Sequence, residues 1–333
     1  MEFDIVIRTA GLSPSRISTA GRIWSSTNEF FEKCPAPIIG VTGTKGKGTT
    51  CSLITSILRA AGKRVHLVGN IGVPALEVLS DIQQNDIVIY ELSSFQLWDL
   101  ERSPHVAVVL MIEPDHLDVH SSFEQYIEAK SHIANYQSSE DVVIYHPTNE
   151  FSRKAAAGGS GRHLRYGVKD DGLVYVDMNN FCVQGDAICG VDTLHIAGRH
   201  NLENASAAIS AARCIMPEVT NLQIQEGLGS FDGLPHRLKF VAEKQGVKFY
   251  DDSIATTPGS AIAALRSFDG GKVIILGGSD KGASYGEVVA VAKQEGARVV
   301  AIGQTGQAIY DLCLQLGVTV VREEGLMEEV VDR

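Results

Sequence analysis

The stretch IIGVTGTKGKGTTCSL, residues 38–53, decides the fold. Ile38 to Thr42 is a β-branched, apolar run. A loop of Gly and Lys follows. Then Leu53, Ile54, Ile57, Leu58 and Ala61 fall on one face of a helix that Gly62 can stop. Strand, glycine loop and helix in that order make a phosphate cradle. In Gly43-Thr44-Lys45-Gly46-Lys47-Gly48-Thr49-Thr50 the glycines let backbone N–H groups face an anion, and the helix start adds partial positive charge. Lys47 supplies a point charge for the β- and γ-phosphates of a nucleoside triphosphate. Gly48 stands where a hydroxyl usually follows that lysine, so Thr49 is the first candidate to meet Mg²⁺ and Thr50 the second.

Outward from this loop, short β-branched runs recur at 3–7, 64–69, 86–92, 105–112 and 142–146, with helical patterns between several of them. Strands alternating with helices predict an α/β fold with a mostly parallel central sheet covered on both faces. The segment 155–162 reads as an exposed loop. The short runs LRYGV, GLVYVDM, FCVQ and DTLHIAG then suggest a small antiparallel insertion, followed by a helix at 201–214. A second α/β run begins near residue 238, with strands at 272–278, 297–303 and 318–323 and helices at 259–268, 286–295 and 306–316. The expected divisions are 1–35, 36–233 and 234–333, the last Rossmann-like.

The net charge of −11 lacks the electrostatic footprint of a nucleic-acid binder. No apolar run approaches the roughly 20 residues of a membrane span, and MEFDIVIRTAGLSP has no signal-peptide pattern. The six cysteines form no C-x-x-C pair, so free thiols in the cytoplasm are expected.

Four stretches carry further chemistry. Glu91 opens ELSSFQL at a strand end, where ligands gather in such sheets, and is a hard oxygen ligand for Mg²⁺. His116, in PDHLDVH (114–120), should reach the same sheet edge beside Asp115. His120 reads as part of a solvated turn in preference to a second metal ligand. Asn201 and Asn204 lie one helical turn apart, suited to a base or ribose. Lys130 sits in a helical pattern, EQYIEAKSHI (124–133).

Taken in order, GTKGKGTT, GNIGVPAL (69–76), ELSSFQL, DHLD, YIEAK, GRHNLENA, GLPHR, DDSIATTPGS (251–260) and GGSDKG (277–282) resemble the Mur ligases, and among them the D-glutamate-adding members. The resemblance implies an ATP-dependent amide ligase of peptidoglycan precursor synthesis, monomeric and cytoplasmic. It would join D-glutamate to UDP-N-acetylmuramoyl-L-alanine through an acyl phosphate. By matching position, Thr49 and Glu91 would hold one Mg²⁺. Glu91, His116 and a carbamylated Lys130 would surround a second. Asn70 and Ser93 would contact the sugar substrate or phosphate. Asn204, Arg237 and Asp252 would hold the nucleotide, and Thr256 and Lys281 the D-glutamate α-carboxylate.

The chain departs from the pattern at Ile254, where the family carries Lys, at Met111 and Lys45, both for Asn, and at Gly48. Gly48 is shared with folylpolyglutamate synthases, which make the same kind of bond, and these are the alternative. Residues 1–35 would be the remnant of a UDP-sugar-binding domain, and the amino-acid-binding end is expected to be incomplete. A chain shortened at both ends that binds ATP without catalysis is the third reading.

Overall fold

The structure, a computed structural model, describes residues 3–332 apart from 118, 170–172, 281 and 326. These fall into two compact units: Met1–His195 with His200–Asp232, and Ile196–Arg199 with Gly233–Arg333.

The first unit opens with β1 (Ile5–Arg8) and β2 (Arg22–Ser25), paired in parallel, and helix α1 (Ser26–Lys33). The Ser25 hydroxyl caps α1 by accepting from the Asn28 N–H. Neither β2 nor α1 was expected from the sequence. The elements that follow are β3 (Ile38–Thr42), α2 (Lys47–Ala60), β4 (Val65–Gly69), α3 (Ala75–Val78), β5 (Ile87–Glu91), α4 (Ser94–Leu97), β6 (Val106–Val109), α5 (Phe123–Asn135), β7 (Val142–Tyr145), α6 (Glu150–Ala155) and β8 (Arg162–Arg165). The six strands from β3 to β8 form one parallel sheet in the order β4-β5-β3-β6-β7-β8. Every residue of β3, β5 and β6 is buried, which is why these strands read as continuous apolar runs rather than alternating ones.

The chain leaves β3 toward β4 and β5, then returns to β6 on the other side of β3. The phosphate loop therefore lies at the point where strand order reverses, the place such sheets offer to ligands. One face is covered by a core that includes Phe30, Tyr90, Leu97, Tyr126 and Ile133. Beyond β8 come three antiparallel strands, β9 (Tyr175–Asp177), β10 (Asn180–Val183) and β11 (Asp186–Gly190), and then α7 (His200–Ile215) and α8 (Asn221–Gly229). Helix α2 packs against both α7 and α8. At the α2–α8 crossing a Cβ on Gly227 would collide with the Ile57 backbone, so the close approach requires glycine.

Three expectations are corrected. Residues 155–162 are not simply an exposed loop: Ala155 and Ala156 are buried in the core, because α6 ends there. Arg162–Arg165 joins the main sheet as its sixth parallel strand, since the crossover through α6 delivers it to the free edge of β7. DTLHIAG is not a strand, because Val191–Thr193 turns as a single 3₁₀ segment.

Arg8 ties the opening segment down. It is buried, donates Nε to Asp99 Oδ2 (3.0 Å) and Nη2 to Asp99 Oδ1 (2.6 Å), and also reaches the carbonyls of Thr9, Ala10, Leu12 and Phe95. A bidentate pair with every remaining donor satisfied is the form in which a buried ion pair is strong. Arg8→Met leaves Asp99 without its partner, so a loss of about 3–5 kcal/mol is expected. Urea unfolding measures it, and hydrogen exchange should show residues 3–25 released first.

The second unit contains the antiparallel hairpin β12 (Lys239–Lys244) and β13 (Val247–Asp251), α9 (Pro258–Leu265), β14 (Val273–Gly277), α10 (Gly286–Gln294), β15 (Arg298–Ile302), α11 (Gly306–Leu316), β16 (Val320–Arg322) and α12 (Met327–Asp332). Strands β14, β15 and β16 form a parallel sheet in that order, over a core that includes Leu265, Val288, Val299, Ile309 and Cys313.

Candidate active site

In the first unit the sequence candidates converge on the carboxyl end of the main sheet. The loop leaves β3 at Thr42. Gly43 and Gly46 take φ values of 146° and 84°, a region that disfavours side chains, and α2 starts at Lys47. A Cβ at Gly46 would also strike the Asn204 side-chain oxygen. Asn204 is in turn held by Asn201, to whose Oδ1 it donates at 3.0 Å, and receives the Thr50 hydroxyl at 3.5 Å. Thr50 is thus committed to α7, while the buried Thr49 hydroxyl takes no part in that set. Lys47 folds its ammonium over the loop, donating to the carbonyls of Gly43 (3.2 Å) and Thr44 (3.0 Å). Lys45 stands exposed on the loop, and Gly48 is half-buried in the first turn of α2.

Three further strands of the sheet end at this edge. Glu91, at the end of β5, is buried. Ser93 follows it and spends its hydroxyl on capping α4, in a reciprocal box with Gln96. Asn70 is exposed at the end of β4 and donates its N–H to the Glu91 carbonyl at 3.3 Å. His116 lies beyond β6 at φ 53°, an uncommon left-handed conformation for a side chain this size. Its half-exposed ring sits 3.8 Å from the Asp115 carboxylate and 5.0 Å (centroids) from Phe95.

Lys130 is not a surface lysine. It is 1% exposed, and its Nζ donates to the Gly43 carbonyl (2.9 Å) and to Thr42 Oγ1 (3.3 Å), beneath the phosphate loop. Burial, first, and the nearby Lys47 charge drive its pKa well below that of an ordinary lysine, against the opposing pull of Asp115 and Glu91. The amine is therefore biased toward its neutral, nucleophilic form.

Sequence reasoning missed Tyr126. It lies one helical turn before Lys130 on α5, with its ring 4.6 Å from the Lys130 nitrogen, and its hydroxyl is 3.1 Å from Thr44 Oγ1. Burial raises its pKa to about 12, so it stays a phenol at neutral pH. The i, i+4 spacing within YIEAK was the available signal. His120 was also misread: it is buried among aromatic rings, not in a solvated turn.

In the second unit, Asp252 Oδ1 accepts from the Leu238 N–H at 3.0 Å. Burial raises its pKa, while that N–H and the positive charge of Arg237 lower it. Arg237 and Thr256 are exposed, as is Ile254, whose N–H donates to the His236 carbonyl. Lys281 lies outside the described residues.

Residues 41–212 match the family described as Mur ligase middle domain, and residues 236–333 that described as Mur ligase, glutamate ligase domain. The chain belongs to the Mur ligase family. It is 38% identical, over 92% of its length and 68% of the relative's, to the UDP-N-acetylmuramoylalanine–D-glutamate ligase of Acetivibrio thermocellus. It is 36% identical to the enzyme of that name from Clostridium kluyveri, over 84% of this chain and 62% of that one. The chain thus spans somewhat less than two thirds of the Clostridium relative. Among solved structures, a UDP-N-acetylmuramate–alanine ligase from Thermotoga maritima superposes with a TM-score of 0.68 at 19% identity, covering 97% of this chain and 77% of that one, which shows a shared fold.

Proposed function

We propose that this Mur ligase uses ATP to join D-glutamate to UDP-N-acetylmuramoyl-L-alanine, a cytoplasmic step of peptidoglycan precursor synthesis, acting as a monomer. The observation that carries the reading is Lys130, a buried amine held against the carbonyl of the first loop glycine. The relatives' names, at 36% and 38% identity, supply the substrates.

The residues fit a magnesium site. Among the described residues no group of three or more His, Cys, Asp or Glu forms a protein cage. Mg²⁺ needs none: it keeps waters and phosphate oxygens and takes one or two carboxylates. Thr49 and the buried Glu91 carboxylate would hold one ion. Glu91, His116 and the carbamate of Lys130 would hold the other. The carbamate forms when neutral Nζ attacks carbon dioxide and loses a proton, turning a cation into an anionic oxygen donor. Such ions neutralise phosphate charge during transfer.

The chain itself does the positioning. Loop N–H groups and Lys47 cradle the β- and γ-phosphates, with Lys45 at the loop's exposed edge and Gly43, Thr44, Gly46, Gly48 and Thr50 shaping it. Asn204 holds the nucleotide in the first unit, and by matching position Arg237 and Asp252 are the nucleotide-binding candidates of the second unit. Asn70 and Ser93 receive the sugar substrate, and Thr256 and Lys281 the D-glutamate α-carboxylate. The L-alanyl carboxylate attacks the γ-phosphorus and ADP leaves. The D-glutamate amine, as its free base, then adds to the acyl carbon and gives up a proton to solvent, and the tetrahedral adduct expels phosphate to leave the amide. In-line transfer of this kind depends on placement and charge more than on covalent help.

Gly46→Ala places a methyl at positive φ against Asn204, so ATP affinity should fall by roughly tenfold, about 1–3 kcal/mol of strain; calorimetric titration checks it. The function is tested by mass spectrometry of products from ATP, Mg²⁺, UDP-N-acetylmuramoyl-L-alanine and either D- or L-glutamate. Product with the D-isomer alone is expected. Product from a folate substrate instead would move the chain to the folylpolyglutamate synthase type of ligase.

A further inference from the structure

The turn that presents His116 carries a second histidine that the proposed reaction does not use. His120 is 2% exposed. Its ring stacks on Phe95 (centroids 5.5 Å apart, planes at 12°), lies 4.4 Å from Trp98 and meets Tyr126 edge-on at 5.2 Å. Its Nε2 is 3.0 Å from Ser94 Oγ. Its backbone N–H donates to the His116 carbonyl at 2.9 Å, closing one turn around His116.

One residue thereby touches three elements. Ser94 opens α4, three positions after Glu91. Tyr126 precedes Lys130 by one turn of α5. The backbone bond braces His116 at its positive φ. Glu91, His116 and Lys130 are the side chains assigned above to one magnesium ion, yet they come from three separate pieces of chain.

We propose that His120 is a positioning residue of the metal site, fixing the mutual placement of Glu91, His116 and Lys130 through Ser94, the 116–120 turn and Tyr126. The proposal rests on the ligase reading above. Mg²⁺ demands near-octahedral geometry at about 2.0–2.1 Å, so ligands on independent elements need a rigid common support. Ring packing alone fixes distance. The bond to the Ser94 hydroxyl also fixes direction, whichever of the two atoms donates. Loss of an outer tie of this kind typically costs 10- to 100-fold in metal affinity.

The test is Mn²⁺ binding by electron paramagnetic resonance, on the full chain with a non-hydrolysable ATP analogue, beside metal-free analogue affinity and thermal stability. His120→Phe keeps a ring in the aromatic cluster and removes the bond to Ser94. Ser94→Ala removes the same bond from the other side. Each should raise the Mn²⁺ half-saturation concentration by about tenfold and leave metal-free analogue affinity within about twofold. Mn²⁺ affinity unchanged in Ser94→Ala, or in a folded His120→Phe, overturns the positioning role. If the unaltered chain binds no Mn²⁺ with the analogue, the metal-site reading itself is overturned, and the proposal with it.

Discussion

Lys130→Met should give a chain at least as stable as the unaltered one near pH 6 that releases phosphate from ATP about 100- to 1,000-fold more slowly. The methionine fills nearly the same volume, so the core around Tyr126 stays packed. Two hydrogen bonds, to Thr42 and Gly43, are lost, at about 0.5–1.5 kcal/mol each. Against this, the variant no longer buries an amine whose charged form is disfavoured. The sign of the pH dependence follows. A lysine with a depressed pKa in the folded state binds fewer protons there than in the unfolded chain, through the window from its folded pKa up to its ordinary value. Stability of the unaltered chain therefore rises with pH across that window. The advantage of Lys130→Met is largest at low pH and narrows as pH rises, in buffers freed of carbon dioxide. Melting temperatures of both chains from pH 6 to 9 check this, and phosphate release checks the loss of function. Restoring bicarbonate should speed release by the unaltered chain and leave the variant unmoved.

Lys47→Met should lower ATP-dependent phosphate release by a comparable factor, about 100- to 1,000-fold, for a different reason. The ammonium already lies over the phosphate loop, drawn there by the carbonyls of Gly43 and Thr44. It is partly exposed. Stability should change by less than about 1 kcal/mol, while affinity for ATP falls. Fluorescence titration with a labelled nucleotide separates this variant from Lys130→Met, which retains the phosphate cradle and should retain metal-free nucleotide binding.

The loop and its strand were legible because local sequence dictates them: an apolar run, then glycines at backbone angles that side chains resist, then a helical face. Lys130 is the opposite case. Its helix reads as amphipathic, and only the resemblance to the Mur ligases, not the residue pattern, marks this lysine as a metal-site candidate. Its burial arises only when α5 packs under the β3 loop, a contact more than 80 residues away in sequence. His120 failed for the same reason, since a polar residue in a short turn gives no sign of the aromatic rings that close over it. The missed helices did leave signals. Thr220 and Gln223 form a capping box at the start of α8, and Ser25 caps α1, and both patterns stand in the sequence. DTLHIAG alternates as a strand does, but it lies after the β10–β11 pairing, and the 3₁₀ turn at 191–193 ends the extended run.

The measurement that bears most directly on the function is phosphate release from ATP with Mg²⁺ and bicarbonate, in three arms: UDP-N-acetylmuramoyl-L-alanine alone, D-glutamate alone, and both together. Release sustained only when both are present is the expected result. Release that ignores either substrate, or none from a chain that still binds ATP, would contradict the assignment of this site to D-glutamate ligation.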